Sequence, residues 1–233
     1  MILSLICARK GSKRLPGKNL IKINNKSLLA HSINHAKSCK NIDEVIISTD
    51  CEKIAEEGKK CGAIIPFLRP ESLSRDDTPE WKVWQHALQF YNQQKIYPST
   101  LVILPTTAPL RRIEDIDAAL KIYNSSLCDG VISVTESYRN PTFNMVKEDS
   151  QGFAKIAMPL EKKIYRTQDA ELFYDITTVC YVMKPYFVSN NNYLFDGKIK
   201  LNHIPKENSV DIDTKLDLEW AKFLMNNLNN NLI

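Results

Sequence analysis

Seven cationic side chains (Arg9, Lys10, Lys13, Arg14, Lys18, Lys22 and Lys26) fall in one short stretch that also holds Gly11, Ser12, Pro16 and Gly17. The first 42 residues carry nine basic side chains and no acidic one, and Asp43 is the first carboxylate. The remaining chain has 22 basic and 27 acidic residues, so the net charge of +4 conceals a cationic front on a slightly acidic body. Such a loop suits a polyanion. Gly11 and Gly17 would let backbone N–H groups approach it, and Arg9, Lys13 and Lys18 would offset the charge of a triphosphate. The spacing is not that of a Walker loop, because five residues separate the glycines and Asn19 follows Lys18. It is not a GxGxxG loop either. A solvated basic loop would have the same composition. No Phe, Tyr, Trp or His lies between Arg9 and Lys26, so base stacking from this segment, and nucleic acid as a partner, are not expected.

The second candidate lies near the other end. Asp211 and Asp213 are one residue apart, and in extended chain their side chains share a face. Two converging carboxylates suit a hard cation such as Mg²⁺, which takes oxygen ligands from protein and phosphate together. Asp213 or Thr214 also fits as the cap of a helix starting near Lys215, with Asp217 supporting its first turn, but the Asp pair and the basic loop together in one chain favour the metal. His31 and His35 are four apart on an expected helix, but no third ligand accompanies them, so they read as helix surface rather than zinc site. Asp77 or Thr78 reads as a helix cap. Trp81 and Trp84 read as core or dimer contact. The six cysteines form no Cys-x-x-Cys pair, which argues against a zinc knuckle or a disulfide framework.

The elements that must position these groups alternate. Strands are expected at Ile2–Ala8, Glu44–Thr49, Ala63–Phe67, Thr100–Leu104 and Gly130–Val134. Helices are expected at Ser27–Lys40, Glu52–Cys61, Glu80–Tyr91 and Ile113–Tyr123. Near-continuous apolar strands between amphipathic helices indicate a mostly parallel sheet covered on both faces, which binds ligands at the carboxyl ends of its strands. Phe143 to Ile164, with a turn at Asp149–Gly152, reads as an inserted β-hairpin. Later strands fall at Thr177–Met183 and Ile199–Ile204, and a closing helix at Lys215–Leu228. At 233 residues and 43% hydrophobic composition, the expectation is one α/β domain, 1–233, with a hairpin insertion at about 143–164. No apolar run reaches the ~18–20 residues of a membrane span, and the first apolar stretch does not read as a signal peptide. The expected location is the cytoplasm.

The loop ARKGSKRLPGKN, Ala8 to Asn19, resembles the signature loop of the acylneuraminate cytidylyltransferase family, the CMP-sialic acid synthetases and their relatives. The resemblance continues through RPESLSRDDT (Arg69 to Thr78), LPTTAPLR (Leu104 to Arg111), YRTQDAELFY and DIDTKLDL (Asp211 to Leu218). It implies a Rossmann-like three-layer nucleotidyltransferase that joins CTP to an acidic nine-carbon sugar with Mg²⁺ on Asp211 and Asp213, and a homodimer built through the hairpin. It assigns Arg9, Ser12, Lys13 and Lys18 to the triphosphate and Asn19 to the nucleotide. Arg69 and Asp76 would lie near the cytosine and the ligand cleft, Thr107 on the turn after the central strand, and Arg166 and Gln168 against the sugar. Pro105 and Ala108 depart from the family's glutamine and serine. Thr177-Thr178 stands where many sialic acid members carry Asn-Gly, and RNPTFNMV (Arg139 to Val146) resembles bacterial members acting on legionaminic-type sugars. The expected acceptor is therefore a nonulosonic acid (sialic, legionaminic or pseudaminic), with plain sialic acid the least favoured of the three. The alternatives are another sugar nucleotidyltransferase, for example of CMP-Kdo type, and a non-catalytic nucleotide-binding protein on the same fold.

Overall fold

The computed structural model describes residues 1–162 and 165–229. In chain order the elements are β1 (Ile2–Cys7), β2 (Lys22–Ile23), β3 (Lys26–Ser27), α1 (Leu28–Ser38), β4 (Glu44–Ser48), α2 (Glu52–Lys60), α3 (Glu80–Gln93), β5 (Thr100–Ile103), α4 (Ile113–Ser125) and β6 (Gly130–Glu136). They continue with β7 (Val146–Glu148), β8 (Ala154–Ile156), β9 (Tyr174–Met183), α5 (Pro185–Asn190), β10 (Ile199–His203) and α6 (Lys215–Asn229). Six strands form the main sheet in the order β10-β6-β9-β5-β1-β4. The β1–β4, β1–β5 and β10–β6 pairs are parallel, whereas β9 runs antiparallel to both its neighbours, β5 and β6.

Alternation along the strands divides the core into two layers, because successive strand side chains face opposite ways. Leu3 and Leu5 of β1, with Leu101 and Ile103 of β5, pack on Trp81, Trp84 and Leu88 of α3 and Phe187 of α5. Ile6, Val102 and Val182 pack instead on Leu29 and Ile33 of α1 and Ile116 and Leu120 of α4. The tryptophans are thus core. Among the described residues no helix is long and apolar enough to cross a membrane.

Several local expectations need correction. Ala63–Phe67 is not a strand; it meets β4 through one isolated bridge, Ile64 to Ile46, and Leu68 just beyond it bridges Thr49 after the end of β4. Five residues with an exposed Ile64 gain too little burial there to hold a full ladder. The short β2–β3 hairpin turns on Asn24 and Asn25, both at positive φ (49° and 63°), which asparagine tolerates better than most residues. β9 begins at Tyr174, three residues before the expected start. β7 and β8 pair antiparallel as a hairpin standing apart from the main sheet. His31 is buried, its Nε2 3.0 Å from the carbonyl of Ile23, so α1 does not carry it on an exposed surface.

Candidate active site

β1 has β4 on one side and β5 on the other, so the chain reverses its direction of travel across the sheet beside β1. Outside the carboxyl ends of strands at such a point an α/β sheet leaves a crevice. A cavity of about 550 Å³ opens there. Its wall includes Cys7 at the end of β1, Arg9, Lys13, Arg14, Lys18 and Asn19 of the loop, Arg69, Asp76 and Glu80 of the segment that leads into α3, Pro105 to Thr107 after β5, Thr178 of β9, and Asp211 and Asp213.

Nearly two hundred residues of sequence separate the basic loop from the acidic pair, yet they touch. Lys18 Nζ donates to Asp213 Oδ1 at 2.9 Å and to the carbonyl of Ile212 at 2.9 Å. Arg14 Nη2 lies 2.7 Å from Asp213 Oδ2. At the other end of the loop, Arg9 Nη1 and Lys13 Nζ each lie 2.6 Å from an oxygen of Asp76. Hydrogen bonds from Lys13 and then Arg9 hold the Asp76 carboxyl below its ordinary pKa. Two carboxylates therefore restrain four loop cations around one cavity.

The loop is shaped by local rules. Gly17 has φ of 69°, the left-handed region in which a side chain is strained, and it leads into the single turn Lys18–Leu20. Gly11 has no such φ, so its expected backbone role does not come from a left-handed turn. Asn19 is buried; its Nδ2 donates to the Arg9 carbonyl at 2.9 Å and its Oδ1 accepts from Thr106 Oγ1 at 2.6 Å. It ties the loop to the turn after β5 while lining the cavity. Ser12 also lines it.

The helix cap at α6 is made without Asp213. Asp217 accepts from the backbone N–H groups of Asp213 and Thr214 and from the Thr214 hydroxyl, and Thr214 Oγ1 accepts from the Asp217 N–H. Capping thus belongs to Thr214 and Asp217, and both oxygens of Asp213 face cations. Asp77 and Thr78 do not cap α3. Its N-cap is Pro79, without a side-chain cap, and Thr78 Oγ1 donates to the Ser72 carbonyl.

Arg69 is buried, donating Nη2 to the Ser48 carbonyl at 2.9 Å, and its Nε has no partner among the described residues. Glu80 opens onto the cavity, but protein crowds it on other sides, and that burial raises its carboxyl pKa against the nearby charge of Arg69. Burial also raises the Cys7 thiol, with Glu80 adding to the effect. Sequence reading missed Cys7, Arg14, Glu80, Thr106 and Thr178. Cys7 and Thr106 could have been found from their places at or beyond strand ends; Thr178 was marked only as a departure from the family's Asn-Gly, and Glu80 carried no signal of its own.

Ten of the twelve expected site residues line this cavity: Arg9, Ser12, Lys13, Lys18, Asn19, Arg69, Asp76, Thr107, Asp211 and Asp213. Arg166 and Gln168 do not occur among the described residues of its wall, and both are exposed. The end of the expected hairpin, at residues 163–164, lies outside the described residues.

Residues 3–226 match the model of a cytidylyltransferase family. The chain belongs to this family. It is 31% identical over 229 residues to the post-translational flagellin modification protein B of Campylobacter coli, covering 98% of this chain and 96% of that one. It is 32% identical over 225 residues to the CMP-N,N'-diacetyllegionaminic acid synthase of Campylobacter jejuni, covering 96% and 94%. A pseudaminic acid cytidylyltransferase of the same species is 30% identical, covering 95% of each chain. Among solved structures, a CMP:2-keto-3-deoxy-manno-octonic acid synthetase complexed with CTP superposes with a TM-score of 0.71, at 17% identity, covering 97% of this chain and 99% of that one. That likeness establishes the Rossmann-like nucleotidyltransferase fold. The protein is a nucleotidyltransferase of the cytidylyltransferase type.

Proposed function

We propose that this cytidylyltransferase transfers CMP from CTP to the anomeric hydroxyl of a sialic-type acid (sialic, legionaminic or pseudaminic) and releases pyrophosphate. The observation that carries this reading is the meeting of Lys18 with Asp213, 2.9 Å apart, in a cavity that Arg9, Lys13 and Arg14 of the loop also line. The two relatives named for legionaminic and pseudaminic acids support the acceptor class. Thr177-Thr178, in place of Asn-Gly, favours a nonulosonic acid other than plain sialic acid.

The sugar hydroxyl attacks the α-phosphorus, the bond to the bridging oxygen of the β-phosphoryl group breaks, and pyrophosphate leaves with the charge that accumulates on it. Arg9, Lys13 and Lys18 stabilise that charge, and the work is positioning and electrostatics without a covalent enzyme intermediate. Asp211 and Asp213 fit Mg²⁺ as a donor set. They are hard oxygen ligands, and triphosphate oxygens would complete the shell, since no cluster of three His, Cys, Asp or Glu forms among the described residues. Bound there, the cation would polarise the phosphate as a Lewis acid. Arg69, its Nε unpartnered among the described residues, is held in the wall to face the nucleotide, with Asp76 near the cleft. Arg166 would pair bidentately with the sugar carboxylate, with Gln168 beside it. Neither lines the cavity of its own chain, so in this reading they reach a partner's site in a homodimer. Exposed Val146, Phe153 and Met158 on and beside the hairpin supply an apolar surface for that contact.

The test is pyrophosphate release with CTP against a panel of sialic, legionaminic, pseudaminic and Kdo acceptors. Turnover with a nine-carbon acid is expected, and a clear preference for Kdo or for UTP would replace this reading.

A further inference from the structure

The side chain of Asp211 is held by a relay of two hydroxyls. Thr178 Oγ1 lies 3.1 Å from Asp211 Oδ1, and Thr107 Oγ1 lies 3.1 Å from Thr178 Oγ1. The direction of the relay is fixed by chemistry. An ionised carboxylate only accepts, so Thr178 must donate to Asp211; its oxygen then accepts from Thr107. Asp211 Oδ2 makes no hydrogen bond among the described residues, and Asp211 lines the cavity.

The two hydroxyls sit on backbone that cannot easily move. Arg111 is fully buried and faces carbonyl groups rather than a close carboxylate. Its Nη2 donates to the carbonyls of Pro105 (2.7 Å) and Thr178 (3.2 Å), and its Nε donates to the carbonyl of Val179. Burial lowers its pKa to about 10, which leaves it charged at neutral pH. Arg111 thus clamps the turn that carries Thr107 to the strand that carries Thr178. The Ile212 N–H, next to Asp211, donates to the Thr107 carbonyl at 2.9 Å, which closes the circuit.

A carboxylate on an exposed, irregular segment would otherwise sample a broad range of side-chain torsions. Groups that orient ligating side chains decide how much freedom is lost when a cation arrives. We propose that Thr178 is a positioning residue: its hydroxyl, aimed by Thr107, presets the Asp211 carboxylate for a divalent cation carried in with the nucleotide. This rests on the reading of Asp211 as a metal ligand, and the experiment separates the two.

Mn²⁺ binding to the CTP complex, without sugar, is followed by electron paramagnetic resonance for Thr178→Val, Thr178→Ser and Asp211→Asn. Valine keeps the shape and removes the donor. Its Mn²⁺ affinity is expected to fall by about tenfold, the usual scale for losing an orienting partner. Serine restores most of it, and CTP affinity measured by calorimetry in EDTA stays put. If Asp211→Asn weakens Mn²⁺ while Thr178→Val does not, the positioning role is wrong and the metal reading stands. If neither variant moves Mn²⁺ affinity, both fail. An equal loss of CTP affinity in EDTA would also overturn the proposal, because Thr178 would then be serving the nucleotide directly. Should Thr178→Val not fold, Thr107→Val cuts the relay one step earlier and is judged by the same titration.

Discussion

In the free protein Asp213 is shared between Lys18 and Arg14, and Asp76 between Arg9 and Lys13. These pairs keep cations and carboxylates in place before a ligand arrives, but the Asp213 oxygens that would bind a metal face ammonium and guanidinium groups. A triphosphate competes for the same cations. Nucleotide and metal should therefore bind with positive coupling, each improving the other by the same factor. Mn²⁺ affinity measured with and without CTP is expected to differ by about 5–150-fold. Equal affinities would mean that the ion pairs do not restrain Asp213. Lys18 is the most enclosed of the four cations, its side chain 14% exposed, and a charge so placed acts more strongly than one in open solvent. Lys18→Met is expected to lower kcat by about 10²–10³ if its charge acts at the transition state. A rise in KM alone would make Lys18 a binding residue only. The exposed Lys13 should matter less than Lys18 in the same assay.

At the scale of elements, α1 carries a titration that is independent of the chemistry. His35 has a buried Nδ1 without a partner among the described residues, and burial, with Arg111, His31 and Lys26 adding charge nearby, lowers its pKa from 6.5 to about 3. The folded pKa lies below the unfolded one. The unfolded chain therefore takes up a proton first as pH falls, and stability is lost from about pH 6.5 down toward 3. His35→Gln should remove about one proton from the slope, or about 1.4 kcal/mol per pH unit between pH 6 and 4, in urea melts compared with wild type. Identical slopes would show that His35 is hydrated. The burial behind this effect was not legible in the His-x-x-x-His spacing, which gives a helix face but not what covers it. β1, β4, β5 and α3 were legible because an apolar run or a regular apolar face is itself a local signal. The antiparallel course of β9 was not, since a buried strand reads the same in either direction. The small β2–β3 hairpin hid inside the basic segment, where its Asn24-Asn25 turn was the only sign of it.

At the scale of the whole molecule, the candidate site is built from segments distant in sequence, and their chemistry was readable where their contacts were not. Residue types suggested that Lys18 and Asp213 serve one ligand; nothing in the types said that Asp213 would hold Arg14 too, or that Thr178 would reach Asp211. Arg166 and Gln168 show the converse. Their place in a motif is clear, yet both sit exposed and away from the cavity of their own chain. If Arg166 completes the site of a partner subunit, two damaged chains should repair each other. Lys18→Met spoils the loop of its own site, and Arg166→Ala spoils only the neighbour's. In a mixed dimer both defects then fall on one site and leave the other intact. With random exchange in a two-fold dimer, half the dimers are mixed, so an equal mixture should recover about a quarter of wild-type turnover from two nearly inactive proteins. An arginine acting within its own chain gives no recovery, because every site then keeps one defect. Light scattering on the same mixture reports whether dimers form at all. A dimer without recovery confines Arg166 to its own subunit, and a fully active monomer removes the shared site altogether.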